Sequence, residues 1–198
     1  MTSPRSTGHV DLYWLPLGAG GPWPVRRAGR LYRAVTGYEL YHSALRVRAD
    51  DRTYTVEMAP VWGNAADGRG VVAEGPVGLR LLGHSRLFRY EVRCWRDGRI
   101  PDLAYAVASP QNLAVDAERT ERLLRLLPDF PCATWGRDEQ GTGDMWNSNS
   151  LIAWALSASG HPVHAVRLPP HGRAPGWAAG LRVAAQQLPV RSSSAGPA

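Results

Sequence analysis

Ser148, His42 and Glu57 have the side-chain types that acyl transfer needs. Ser148 stands in Trp146-Asn147-Ser148-Asn149-Ser150, where a glycine-rich polar stretch gives way to the apolar run 151–156. A helix starting there puts the serine on its first turn, where free backbone N–H groups and the helix dipole favour negative charge. An oxyanion develops beside an attacking hydroxyl, so a nucleophile gains from that position. A serine also needs a base. His42, in Tyr41-His42-Ser43-Ala44-Leu45, is the candidate, and Glu57 is the carboxylate that would orient its ring. The expected chemistry is attack by Ser148 on an amide or ester carbonyl. His42 would take the proton and return it to the leaving group. The Ser148 N–H with an Asn147 or Asn149 side chain would hold the oxyanion, and Tyr41 and Trp146 would line the substrate. The competing reading is structural, because Asn and Ser at a helix start are most often only caps.

Two elements must position these residues. The helix is marked at both ends: Asn147 and Ser148 offer caps, Gly160 fits the position after the last turn, and Pro162 cannot continue it. The histidine lies on a hairpin, since 41–48 and 53–58 are β-rich runs around Asp50-Asp51. With those aspartates as the loop, Ala49 pairs with Arg52 and Ala44 with Glu57. His42, Ala44, Glu57 and Ala59 then share one face, and Leu45, Val47, Val56 and Met58 form the core face. The hairpin's histidine face is expected to meet the helix N-terminus.

The rest of the chain reads as strands and short helices. Strands are expected at 10–17, 71–74, 87–95, 103–107 and 163–168, with a turn at Asp97-Gly98. A helix from about Arg27 to Tyr38 would turn Ala28, Leu31, Tyr32 and Val35 inward. Asp116 should cap a helix reaching Leu127 and stopped by Pro128, and a last helix should cover 178–187. Residues 1–8 and 189–198 read as disordered by composition, leaving 9–188 as one domain.

A His-bearing hairpin followed about a hundred residues later by an Asn-x-Asn helix start resembles the circularly permuted papain-like families. PPPDE-type cysteine peptidases are the nearest, with the NlpC-like and lecithin:retinol-acyltransferase-like branches more distant. The resemblance spans Tyr41 through Glu57 and Trp146 through Ser150, and about two-thirds of the chain lies within its frame. It implies a single α+β domain, an antiparallel sheet packed against a nucleophile-bearing helix. It also implies His42 as base and the Ser148 position as nucleophile, where the family has cysteine. A serine there fits a serine hydrolase, a pseudoenzyme keeping its groove, or a deliberate Cys→Ser exchange. The lead expectation is therefore a Ser-His-Glu hydrolase or acyl-transfer enzyme acting on a peptide or small-molecule substrate. The alternative is an inactive module binding a peptide or small ligand.

Totals narrow the partners. The formal charge is +6, and all 23 basic residues are arginine, a usage that fits a GC-rich genome. The arginines are scattered, so no specific nucleic-acid binding is expected. No apolar run reaches the ~20 residues of a membrane span. With no signal-peptide pattern at the start, the expectation is a cytoplasmic protein. Cys94 and Cys132 lack metal-type spacing and are expected as buried free thiols. His9, His161 and His171 are expected to be exposed. His84 and His164 have no partner at ligand spacing, so neither metal nor cofactor is expected. Trp14, Trp62, Trp135, Trp146 and Trp177 read mostly as core or loop anchors.

Overall fold

The computed structural model describes residues 7–19, 23–61, 70–100, 102–113 and 115–187. Trp62 and the segments 1–6 and 188–198 lie outside them. The chain opens with β1 (Thr7–Pro16), α1 (Trp23–Thr36), β2 (Glu39–Ala49) and β3 (Arg52–Pro60). Then follow β4 (Val71–Pro76), β5 (Arg89–Arg96), β6 (Val107–Asn112), β7 (Val115–Asp116) and α2 (Ala117–Leu126). It ends with α3 (Ser148–Ala158), β8 (Gly172–Arg173) and α4 (Trp177–Gln187). The main sheet runs β4-β5-β3-β2-β1-β6 with antiparallel neighbours, and β8 pairs with β2 in parallel.

The hairpin turn sets the sheet register. Asp50 takes a positive φ of 51°, a conformation that Asp tolerates better than most residues, and Ala49 pairs with Arg52. Leu45 and Val47 of β2 then share a face with Val56 and Met58 of β3, as their alternation predicts. β1 adds Val10, Leu12 and Trp14 to this front face, and β5 adds Tyr90 and Val92. The front face is the main core, covered by α2 and α3, and α4 packs on α3. The back face holds a smaller cluster of Tyr13, Leu15, Ala44 and Ile100. The molecule is thus a single α+β domain built on an antiparallel sheet.

α3 is buried almost all round: Leu151, Ile152 and Leu156 are fully buried and Trp154 nearly so. Such a helix has no polar stripe and must lie between two layers. α4 reaches it because Gly180 has no side chain; a Cβ there would run into the Ser150 carbonyl and meet Ala153 at 2.9 Å. Asp116 caps α2 as expected, accepting from the Arg119 N–H at 2.9 Å.

Several expectations change. β1 begins at Thr7, because Thr7 and Gly8 pair with Asp116 and Val115. Leu87 and Phe88 belong to a 3₁₀ turn before β5. Leu103 to Tyr105 form another 3₁₀ turn, and the strand starts only at Val107. Residues 163–168 hold a 3₁₀ turn at Val163–Ala165 in place of a strand. There the Arg167 carbonyl accepts from the Trp14 indole at 2.9 Å, so the segment serves a side chain rather than a ladder. α1 forms, but Leu31 and Val35 point to solvent while Arg33 reaches Glu39 at 3.4 Å. Of its expected inward residues, Tyr32 alone is seen half-buried, and Leu31 and Val35 face away from the sheet.

Candidate functional site

Ser148 is the first residue of α3, and Asn147 is its cap. The Asn147 carboxamide oxygen accepts from the Asn149 N–H at 2.9 Å and the Ser150 N–H at 3.4 Å. Ser150 Oγ accepts in return from the Asn147 N–H at 3.1 Å, completing a reciprocal cap. The Asn149 and Ser150 N–H groups of the first turn are thus used by the helix itself.

The remaining polar atoms tie the helix start to its surroundings. Asn147 Nδ2 and Asn149 Nδ2 both donate to the Pro175 carbonyl, at 2.8 and 2.9 Å. Asn149 Nδ2 also donates to the Tyr41 carbonyl at 2.9 Å, and its Oδ1 accepts from Ser43 Oγ at 2.8 Å. Ser150 Oγ donates to the Gly176 carbonyl at 2.9 Å, and Gly176 N–H donates to Asp144 at 2.7 Å. Sequence reasoning missed Ser43, the β2 side chain that meets α3. Ser43→Ala is expected to cost about 1–2 kcal/mol by leaving the buried Asn149 oxygen unpaired. Urea unfolding would measure it.

Ser148 itself is 4% exposed, and its hydroxyl makes no hydrogen bond to a described residue. His42 does not reach it. Leu15 lies opposite His42 on β1, and Leu15 and Ala44 belong to the back-face cluster. Tyr41, Ser43 and Leu45, of opposite parity, face α3. The expectation that the histidine face of the hairpin meets the helix is therefore corrected: β2 separates His42 from Ser148. Burial pushes the His42 pKa below its ordinary value, with Asp102 opposing that shift.

Glu57 shares the back face with His42, but its carboxylate is engaged elsewhere. It pairs with Arg93 at 3.1 Å, and Arg93 also pairs with Glu91 at 2.8 Å. All three side chains are nearly buried, and Glu57 lies opposite Arg93 in the β3–β5 register. A buried charge keeps its place only when paired, so this triad fixes β3 against β5. Tyr41 and Trp146, expected to line substrate, are core residues. Tyr41 donates its hydroxyl to Glu39 at 3.0 Å, and burial with that bond raises its pKa to about 12. Trp146 is 1% exposed and stacks on Phe130 at 5.0 Å.

Other sites differ from expectation. His161 is 4% exposed rather than solvated. Cys94 is half-buried, with burial raising its pKa to about 11, whereas Cys132 is exposed; both are free thiols. Two clefts are lined by described residues. One of about 340 Å³ is lined by Leu17, Arg30, Arg33, Glu39 and Tyr105. The other, of about 310 Å³, is lined by Arg80, Thr134, Arg137, Asp138 and Glu139. No family model matches the sequence, and neither a curated protein nor a solved structure matches it.

Proposed function

We propose that this chain is a non-catalytic module that binds a peptide or small ligand on a frame of the permuted papain-like kind. One observation carries the reading: His42 and Ser148 stand on opposite sides of β2. A serine hydroxyl is a poor nucleophile without a base in hydrogen-bond reach. The Asn147 and Asn149 side chains expected at the oxyanion are also committed to pinning α3. The two clefts offer better-exposed recognition groups, with arginines and carboxylates side by side in both linings.

A serine hydrolase is the second reading, favoured by Ser148 at the first position of α3, its hydroxyl without a hydrogen bond among the described residues. A fluorophosphonate probe with a generic ester separates the two. The module reading expects neither labelling nor turnover by the native chain. Labelling at Ser148 that disappears in both Ser148→Ala and His42→Ala would establish the hydrolase instead.

A further inference from the structure

The strand register gathers several connections at one end of the sheet. Pro16 at the end of β1 lies opposite Tyr41 near the start of β2. Pro60 at the end of β3 lies opposite Tyr90, and Pro76 at the end of β4 opposite Arg89, both at the start of β5. Trp14 lies opposite Val107, where β6 begins. α1, the 3₁₀ turns between β4 and β5, and the turn before β6 all project from this end.

The same end exposes large apolar side chains. In the 3₁₀ turns, Leu79, Leu81, Leu82, Leu87 and Phe88 are all exposed, Leu81 by 84% and Leu87 by 68%. Neither turn buries a residue. Leu31 and Val35 of α1 join them, with Tyr105 and Val107 beside β6. Apolar side chains collected on one end of a chain mark an interaction surface.

Its charge is basic in excess. From Val77 to Tyr90 the sequence holds Arg80, Arg86 and Arg89 and no carboxylate, and α1 holds Arg26, Arg27, Arg30 and Arg33 and none. Carboxylates offset part of it: Glu39 pairs with Arg33, Glu74 with Arg89, and Asp138 and Glu139 share a cleft with Arg80. The acidic Asp50-Asp51 turn lies at the opposite end.

Apolar tips among arginines fit an anionic lipid surface. The 3₁₀ turns suit it for a second reason, because they bond their own backbone. Leu82 N–H donates to the Leu79 carbonyl, Ser85 to Leu82 and Phe88 to Ser85, at 2.9–3.0 Å. Backbone entering an apolar phase must be satisfied internally. A peptide or helix partner would call for a continuous groove, whereas these leucines are tips on separate connections.

We propose that this end docks reversibly onto an anionic bilayer, with Leu81 and Leu87 entering the interface and Arg80 and Arg86 meeting headgroups. No helix among the described residues is long and apolar enough to cross a membrane, so the docking is peripheral. The proposal goes beyond the module reading and holds whether or not Ser148 reacts.

The test is flotation of the full chain with phosphatidylcholine vesicles, either pure or holding about 30 mol % phosphatidylglycerol. Expected is binding to the anionic vesicles only. Leu81→Asp with Leu87→Asp should weaken it by roughly tenfold or more, and Arg86→Glu should weaken it and flatten its salt dependence. Val71→Asp, at an exposed residue away from this end, should leave it unchanged. Thermal melts of all variants should match the native chain, since none of these side chains is buried. Absence of anionic-vesicle binding overturns the proposal, and so does binding that ignores Leu81 and Leu87. A dimer that the double variant dissociates, without vesicle binding, would assign the face to a second copy and equally overturn it.

Discussion

Gly176→Ala is expected to destabilise the protein by about 3–5 kcal/mol, from strain, lost capping and an unpaired buried group together. Gly176 takes a φ of 90°, which L residues rarely adopt. A Cβ there would also run into the Asn147 carboxamide oxygen and approach Ser150 Oγ at 2.8 Å. Those two atoms are the acceptors of the reciprocal cap of α3, so the substitution disturbs both at once. Gly141→Ala is the matched control: its φ is 60°, but nothing lies within 4 Å of the added carbon. That variant should cost about 1–2 kcal/mol, the left-handed penalty alone. Urea unfolding of both separates crowding from strain. Equal losses in the two variants would mean that the loop at Gly176 yields and the cap is not held from outside.

The start of α3 was legible because its signals are local. Asn, Ser and a following apolar run act within one turn, and so do the Asp50-Asp51 turn and the pairing it sets. What local signals do not contain is which side of the hairpin a distant helix covers. The alternation that places Leu45 and Val47 in the core also decides this. A helix covering that core meets Ser43, which has the parity of Leu45, and cannot meet His42. Treating the polar face as the one turned toward the nucleophile conflicted with the hydrophobic face identified in the same strand. Glu57 shows the companion limit. Its face was right, but its partner Arg93 comes from β5, and strand order is not encoded in the hairpin. Residues 163–168 mimic a strand in composition, yet they are bracketed by Pro162 and by Pro169-Pro170. Those prolines favour the isolated turn that the structure holds there.

The functional consequence follows from the same geometry. If both faces of the hairpin are packed, its polar residues are committed to holding layers together. Ser43 joins β2 to α3, and Glu57 with Arg93 joins β3 to β5. Groups free to recognise something else must then come from the connections. The leucines exposed on the connection between β4 and β5 are such groups. This is the usual division between a rigid scaffold and the loops it presents.

Acidification below about pH 6.5 is expected to remove on the order of 3 kcal/mol of stability through His161. The Gly160 turn explains why this histidine is buried. Gly160 N–H donates to the Ser157 carbonyl at 3.0 Å and His161 N–H to the Leu156 carbonyl at 2.9 Å, which folds His161 back onto the end of α3. Ser159 Oγ is 2.8 Å from Nδ1 and donates to the Ala155 carbonyl, so Nδ1 carries the ring proton and donates to Oγ. Nε2 is buried with no partner among the described residues. A second proton would therefore sit on a buried nitrogen without an acceptor. Burial, then Arg119, lower the pKa to about 4, with Asp116 opposing. The folded value is below the ordinary one near 6.5, so the unfolded chain binds the proton first. Stability is complete above about pH 6.5, falls as pH drops, and levels off below about pH 4. His42, shifted in the same direction, adds to this slope. His161→Gln removes the titrating group while keeping a side chain that can bond Ser159. Its unfolding free energy should be lower at pH 7, yet change far less between pH 6.5 and 4.5. A variant with the native slope would assign the acid limb to His42 instead.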